Sequence, residues 1–200
     1  MVNHYSEVDR SQPTQVDWNA RFSATERTYV YRILHFSGDS EYGSPFEWDR
    51  SWRLLGNQPF RVGAMKEAAA YLQGTHDFSS FRAAKCQRAS PILSMRNIDV
   101  QSQPYGGSLL WDAAGGGLLG IGNADEDSHA QLVTIKFVGN SFAYRQVRNM
   151  VGCLAEVGRG RLRPSEVQDI LAAKDRTLAP AMAPAHGLFL VDNQHGDFQF

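Results

Sequence analysis

Positively charged side chains are concentrated in two segments of this chain, and acids are rare in both. Five arginines occur with one acid between residues 145 and 163, and four cations occur with no acid between residues 82 and 96. Cations grouped in this way bind the phosphates of nucleic acids. A solvated surface without a ligand is the alternative that charge alone leaves open. The cations are Arg82, Lys85, Arg88 and Arg96 in the first segment, and Arg145, Arg148, Arg159, Arg161 and Arg163 in the second.

The overall composition is that of a soluble globular protein, with 42% hydrophobic residues, 20% charged residues and a net charge of −1. No apolar run approaches the roughly 18 residues needed to cross a bilayer. Residues 1–17 form an irregular polar lead-in without the apolar segment of a signal peptide. Cys86 and Cys153 are too few for a disulfide framework, and neither has metal-ligand spacing. We expect a reducing, cytoplasmic setting and no structural metal, with an organelle or the nucleus as alternatives.

The first half of the chain contains one clear strand and one clear helix. Residues 27–34 are rich in β-branched and aromatic types, which predicts a strand. Residues 37–59 contain Gly, Pro, acids and Trp, and are interpreted as a connection. Apolar residues recur at helical spacing over residues 62–72, and Gly74 is a natural C-cap for that helix.

The next part contains two predicted strands, over residues 96–102 and 132–137, on either side of a loop insertion. The insertion, residues 104–129, is marked by one glycine pair, a glycine triplet and an acidic run. After the second strand, Ser141 is a plausible N-cap for a helix that ends at Gly158. The apolar stripe of this helix is Val147, Met150, Val151, Leu154 and Val157.

The last part contains a helix that Pro164 opens and a strand over residues 187–191. The buried side of the helix is predicted to be Val167, Ile170 and Leu171. The resulting order is strand, helix, strand, helix, helix, strand. It indicates an α+β domain with a mostly antiparallel sheet and the helices packed on one face.

Four sequence blocks, in a fixed order and covering about three quarters of the chain, resemble those of one enzyme family. Each block alone is a weak motif, but four in order are specific. Residues 18–200 are therefore similar to the C-terminal part of the catalytic domain of TruA-type tRNA pseudouridine synthases. The blocks are ARFSATERTYVY at 20–31, GTHDFSSFR at 74–82 with Cys86-Gln87 and Ser90-Pro91, VRNMVG at 147–152, and AKDRT at 173–177 with APAHGLFL at 183–190.

This resemblance implies an isomerase that converts uridine to pseudouridine in the anticodon arm of tRNA. The reaction breaks the bond from C1′ to N1 and rejoins the uracil through C5, without a cofactor or metal. The target base must leave its stack, which costs a few kcal/mol. The family also implies a homodimer and a pseudouridine-synthase-like fold, which this chain would supply incompletely.

The resemblance also implies roles for particular residues. Arg148 matches the arginine that pairs with the catalytic carboxylate and orients it, and such a pairing keeps a carboxylate ionised. Tyr29 matches the tyrosine that stacks on the uracil; the strand spacing puts it on the same face as Tyr31, and two core tyrosines are the alternative. RNA contacts are implied for Arg21, Phe22, His76, Asp77, Phe78, Ser79 and Ser80, with phosphate positioning by Arg145 and the 159–163 cluster. Core packing is the alternative for Phe22, and a surface position for the arginines.

The family's Gly-Arg-Thr-Asp-x-Gly block, whose aspartate is the catalytic residue, does not occur in these 200 residues. Asp175-Arg176-Thr177 has the same residue types in reverse order but belongs to the fourth block. We therefore expect the chain to be a fragment that is inactive by itself, from a truncated gene or a degenerate relative. A noncatalytic RNA-binding derivative is the alternative function. An open sheet edge and an uncovered apolar face are expected as well.

Overall fold

A computed structural model describes residues 23–37, 47–105 and 130–195 of the chain. The predicted α+β class is confirmed in this part of the molecule, which has six strands and three α-helices. The strands are β1 (Ala24–Ser37), β2 (Trp52–Gly56), β3 (Gly74–Asp77), β4 (Ile92–Pro104), β5 (Ala130–Gly139) and β6 (Leu188–His195). The helices are α1 (Val62–Tyr71), α2 (Gln146–Gly158) and α3 (Pro164–Ala173).

All six strands form one mixed sheet, ordered β2-β1-β5-β4-β3, with β6 paired to β1. Only β1 and β2 are parallel, and the other described pairs are antiparallel, as predicted. The N-terminal half of β1 pairs with β6, while its C-terminal half pairs with β2. Strand β1 is therefore an interior strand, and β5 pairs with its residues 27–36 on the opposite edge.

The main hydrophobic core lies between one face of the sheet and the three helices. Tyr31 and Ile33 of β1 and Phe137 of β5 face it, and the apolar side of α2 is buried there. Leu34, Phe36 and Leu132 form a smaller cluster of their own, which also includes partly buried Ala130 and Tyr105. The alternation along β1 separates the two clusters, because successive side chains of a strand point to opposite faces.

Three sequence-based boundaries differ from the structure. The 37–59 connection contains β2, a five-residue strand with a single buried residue, Leu54, which is too short to show a periodic pattern. Gly74, with a φ of 98°, begins β3 instead of capping α1, which ends at Tyr71. Helix α2 begins at Gln146 and not near Ser141.

The late start of α2 has a local cause. Arg145 adopts a left-handed conformation with φ of 63° and ψ of 10°, which no residue inside a right-handed helix can have. The preceding turn is closed by the N–H of Gln146 on the carbonyl of Ala143, and the Gln146 side-chain oxygen accepts from the Ala143 N–H at 2.7 Å. These two hydrogen bonds between Ala143 and Gln146 fix the start of α2, in place of the N-cap at Ser141 that the sequence suggests.

No helix in the described ranges is long and apolar enough to cross a membrane. Leu190 and Val191 of β6 are more than half exposed in the described structure. The predicted 1–17 lead-in and almost all of the predicted 104–129 insertion lie outside the described residues.

Candidate RNA-binding cleft

A cleft of about 1110 Å³ opens between the N-terminal part of β1, the loop after β5 and the start of α2. Five of its lining side chains are cationic, and none of the lining residues in the described part of the chain is Asp or Glu. The cations are Arg27, Lys85, Arg88, Arg145 and Arg148. A concave surface lined by one sign of charge attracts polyanions, so the cleft is suited to a phosphate backbone.

Tyr29 and Arg148, the two residues that the family resemblance singles out, line this same cleft. They come from different elements, β1 and α2, and are 119 positions apart in the chain. The Tyr29 ring meets the Phe142 ring edge-on, with centroids 4.9 Å apart and planes at 84°. The contact limits rotation of the Tyr29 ring while the side chain stays only partly buried.

Tyr31 contacts the same core as Tyr29 but has a different role. Its side chain is fully buried, and its hydroxyl donates to the Pro184 carbonyl at 2.7 Å. Burial raises the pKa of Tyr31 well above the usual range, although the nearby positive charge of Arg148 opposes the shift. Tyr31 is therefore a neutral core residue that ties β1 to the segment before β6.

The segment before β6, which Tyr31 contacts, also holds the Arg148 side chain. Its Nε donates to the Ala183 carbonyl at 2.7 Å, and its backbone carbonyl accepts from the Ala183 N–H at 3.1 Å. No carboxylate in the described ranges forms an ion pair with Arg148. A guanidinium fixed through Nε presents its terminal N–H groups in a defined direction, which suits a bidentate carboxylate or phosphate contact.

The next turn of α2 is packed against residues 179–183. A Cβ added to Gly152 would lie 2.1 Å from the Ala181 carbonyl oxygen, so only glycine permits this approach. Asn149 is buried in the same turn; its Nδ2 donates to the Phe81 carbonyl at 2.7 Å and its Oδ1 accepts from Arg176 at 3.0 Å. These two contacts join α2 to two short 3₁₀ helices, Ser79–Phe81 and Arg176–Leu178.

Arg145 lies at the rim of the cleft, next to Tyr144. The Arg145 guanidinium carbon is 4.9 Å from the centroid of the Tyr144 ring, within the range of a cation–π contact. Of the first basic segment, Lys85 and Arg88 reach the cleft, whereas Arg96 pairs with Glu26. Arg159 and Arg161 pair with Glu156, and Arg163 pairs with Glu166; none of these three arginines lines the cleft.

The predicted RNA-contacting residues 76–80 do not line the cleft. Phe78 and Ser80 are fully buried, and the Ser80 hydroxyl donates to the Ile170 carbonyl at 2.6 Å. Any contact of these two side chains with RNA is therefore blocked by the fold. His76, Asp77 and Ser79 are partly exposed, and Asp77 accepts from the Ser79 N–H at 2.9 Å. Arg21 and Phe22 lie outside the described residues.

A tRNA pseudouridine synthase family model matches residues 68–195. The chain belongs to this family. It is 38% identical over 173 residues to the tRNA pseudouridine synthase A of Xanthobacter autotrophicus, an alignment that covers 86% of this chain and 58% of the relative. It is 34% identical over 181 residues to the protein of the same name from Rhizorhabdus wittichii, covering 90% and 59%. The Ehrlichia ruminantium protein of that name is 32% identical over 192 residues, covering 96% and 65%.

The chain thus spans about three fifths of the length of the curated relatives it matches. The cleft-lining residues to which the family resemblance assigns no role include Arg27, Lys85, Arg88, Phe142 and Tyr144. The cluster of cations between residues 82 and 96 indicated two of them, Lys85 and Arg88. Arg27 sits in the first block without a distinguishing pattern, and the position of the two aromatic residues depends on the left-handed turn before α2.

Proposed function

We propose that this chain supplies the RNA-binding, arginine-bearing part of a tRNA pseudouridine synthase that isomerises uridine in the anticodon arm of tRNA. The observation that carries the proposal is the joint presence of Tyr29 and Arg148 on one cleft whose described charged residues are all cations. The aromatic ring suits an unstacked pyrimidine, and the cations suit the phosphates on either side of it.

The two side chains have distinct proposed roles. Tyr29, braced by Phe142, stacks on the uracil of the flipped uridine. Arg148, fixed to the Ala183 carbonyl, pairs with the catalytic aspartate and keeps it ionised and oriented. Since no carboxylate lines the described cleft, that aspartate comes from a segment outside the residues described here.

We propose no cofactor and no metal, because the family resemblance implies an isomerisation that depends on the catalytic aspartate. Within the described ranges no three His, Cys, Asp or Glu side chains are grouped as metal ligands would be. A homodimer, expected from the family, and a cytoplasmic location, expected from the composition, belong to this proposal as well.

The test is release of tritium from tRNA labelled at C5 of uridine, because the C5 hydrogen is lost when the base rejoins through that carbon. We expect the 200-residue chain to bind tRNA without releasing tritium. Release is expected when a segment with the Gly-Arg-Thr-Asp-x-Gly block of a relative is added in trans. Arg148→Met should abolish this release, while Arg163→Met, a surface arginine outside the cleft, should leave it unchanged.

The outcomes separate the two candidate functions. Release by the unsupplemented chain would contradict the expectation that it is inactive by itself. tRNA binding without release, even with the added segment, would favour a noncatalytic RNA-binding derivative, which the absence of carboxylates from the described cleft also fits. No binding to tRNA would reject both.

A further inference from the structure

We propose that Tyr144 and Arg145 form a stacking site for a second unpaired nucleobase, distinct from the site at Tyr29. The inference rests on the proposed function, because it takes RNA as the ligand of the cleft. It adds a second ligand, an unpaired base next to the target uridine. It also gives a role to Tyr144, to which neither the family blocks nor the basic segments assign one.

The first observation is the exposure of the Tyr144 ring. The side chain is 50% exposed and lines the basic cleft, whereas Tyr31 is fully buried in the core. Arg145 lies over the ring at 4.9 Å. A cation over one side of an aromatic ring leaves π-surface for a base, and base–aromatic stacking is typical of proteins that bind single strands.

The second observation is that the backbone of this pair is held in place before any ligand binds. The Tyr144 N–H donates to Cys86 Sγ at 3.4 Å, and the Tyr144 carbonyl accepts from the Ala83 N–H at 3.1 Å. The left-handed Arg145 is followed at once by α2, and its carbonyl accepts from the Asn149 N–H at 3.1 Å. A platform fixed in this way loses little conformational freedom when a base stacks on it.

The third observation is the charge next to the platform. The hydrogen bond from the Tyr144 N–H to Cys86 Sγ brings residues 85–88 next to the Tyr144 backbone, and the exposed cations Lys85 and Arg88 of that segment line the same cleft. A stacked base carries its own phosphates within a few ångströms, so cations in the same cleft as an exposed ring match a nucleotide better than they match an apolar peptide. Stacking does not depend on the hydrogen-bonding groups of a base, so the site should accept any unpaired base.

Phe142 links this platform to the uridine site. It contacts Tyr29 edge-on and lies two residues before Tyr144 in the segment between β5 and α2. One short segment therefore braces the ring for the target base and carries the ring for its neighbour. The arrangement favours a loop with at least two unstacked bases over a paired stem.

The experiment measures binding of the wild-type chain and variants to a fluorescent anticodon-arm hairpin and to a fully paired RNA duplex of equal length. Tyr144→Leu removes the π-face and keeps the bulk, and we expect it to weaken hairpin binding about 10-fold with little effect on the duplex. Tyr144→Phe should restore binding to within about twofold of the wild type. Tyr71→Leu, at the end of α1 and outside the cleft, is the matched control and should not change either affinity.

A second measurement needs no variant. A hairpin carrying 5-iodouridine in its loop should cross-link on irradiation to the peptide that contains Tyr144. Unchanged hairpin binding by Tyr144→Leu, equal weakening of hairpin and duplex, or cross-linking only elsewhere would overturn the stacking site while leaving the proposed function intact. If the wild-type chain bound neither RNA, the proposed function would fail, and this site with it.

Discussion

Two successive turns of helix α2 differ in how completely their polar groups are used within the chain. In the buried turn, residues 149–152, both polar atoms of the Asn149 amide are hydrogen-bonded, and Gly152 lies against the Ala181 carbonyl. At the start of the helix, Arg145 and Arg148 lie in the cleft among like charges, with no acid among the described lining residues. Groups satisfied by the fold contribute to stability, whereas grouped like charges lower it and are balanced by an anionic ligand.

This difference separates changes that should affect folding from changes that should affect binding. Helix α2 is anchored by two 3₁₀ helices and by residues 179–183, which hold the cations at its start close to one another. Substitutions in the buried turn should alter unfolding, and substitutions in the cleft should alter RNA affinity.

The largest expected difference is in the rates at which the two cysteines react with an alkylating reagent. Burial alone would raise the pKa of Cys86 in the cleft, but the backbone N–H groups of Tyr144 and Arg88 and the charges of Arg82 and Arg88 lower it below the usual value. Burial of Cys153 in α2 raises its pKa to about 12, with Glu156 adding to the shift. At pH 7 we expect iodoacetamide to label Cys86 at least ~1000-fold faster than Cys153, which reacts only after unfolding.

Peptide mass spectrometry over a time course measures both rates in one sample. Bound tRNA should slow labelling of Cys86 and leave Cys153 unaffected. Equal rates at the two thiols would show that the cleft and the buried side do not differ in access.

Gly152→Ala should destabilise the fold most among the single substitutions. Its Cβ would meet the Ala181 carbonyl oxygen at 2.1 Å, and backbone on both sides must shift to accept it. We expect the free energy of unfolding to fall by about 3 kcal/mol, measured by urea titration. The matched control is Gly63→Ala in α1, where no atom lies within 4 Å of the added Cβ, and it should stabilise the chain by about 0.5 kcal/mol.

Asn149→Ala should cost about 2 kcal/mol, because it leaves the Phe81 carbonyl and the Arg176 guanidinium without their partner. A double-mutant cycle with Arg176→Met isolates the Asn149–Arg176 contact. A coupling energy near zero would mean that this pair does not hold α2 in place. The neighbouring cleft variant Tyr144→Leu should leave the urea midpoint unchanged.

Lys85→Gln should change RNA affinity without changing stability. The side chain is exposed and lines the cleft, so loss of one phosphate contact should weaken tRNA binding a few-fold and reduce the salt slope by about 0.9. Arg163→Gln is the control of equal charge change, since Arg163 pairs with Glu166 away from the cleft. The same loss in both variants would indicate nonspecific charge effects.

The smallest effect concerns Asp77. The Ser79 hydroxyl lowers its pKa most, burial opposes the shift, and the Ser79 N–H and the Lys174 ammonium lower the pKa further. A carboxyl whose pKa is depressed by folding adds stability above its unfolded pKa and loses it as the pH falls through the folded value. Asp77→Asn should therefore cost at most about 0.5 kcal/mol at pH 7 and nothing at pH 2. A larger cost that persists at pH 2 would point to a packing role.

The family, the α+β class and the buried sides of α2 and α3 could all be predicted from the amino-acid sequence. It also pointed to Tyr29 and Arg148. These follow from local information: helical periodicity over residues 147–157, proline at the start of α3, and ordered blocks of residue types. Such patterns can be recognised in the sequence because each one spans only a short stretch of consecutive residues.

The folded chain, and no local pattern, selects which cations of the two basic segments share a cleft and which pair with acids. Lys85, Arg88 and Arg148 line one cleft because the segment before β4 contacts the turn before α2, while Arg159 and Arg161 turn back to Glu156. The parallel β2, the burial of Ser80 and the platform at Tyr144 likewise depend on contacts between distant residues. Such contacts are set by packing across the sheet and helices, which leaves no local pattern in the sequence.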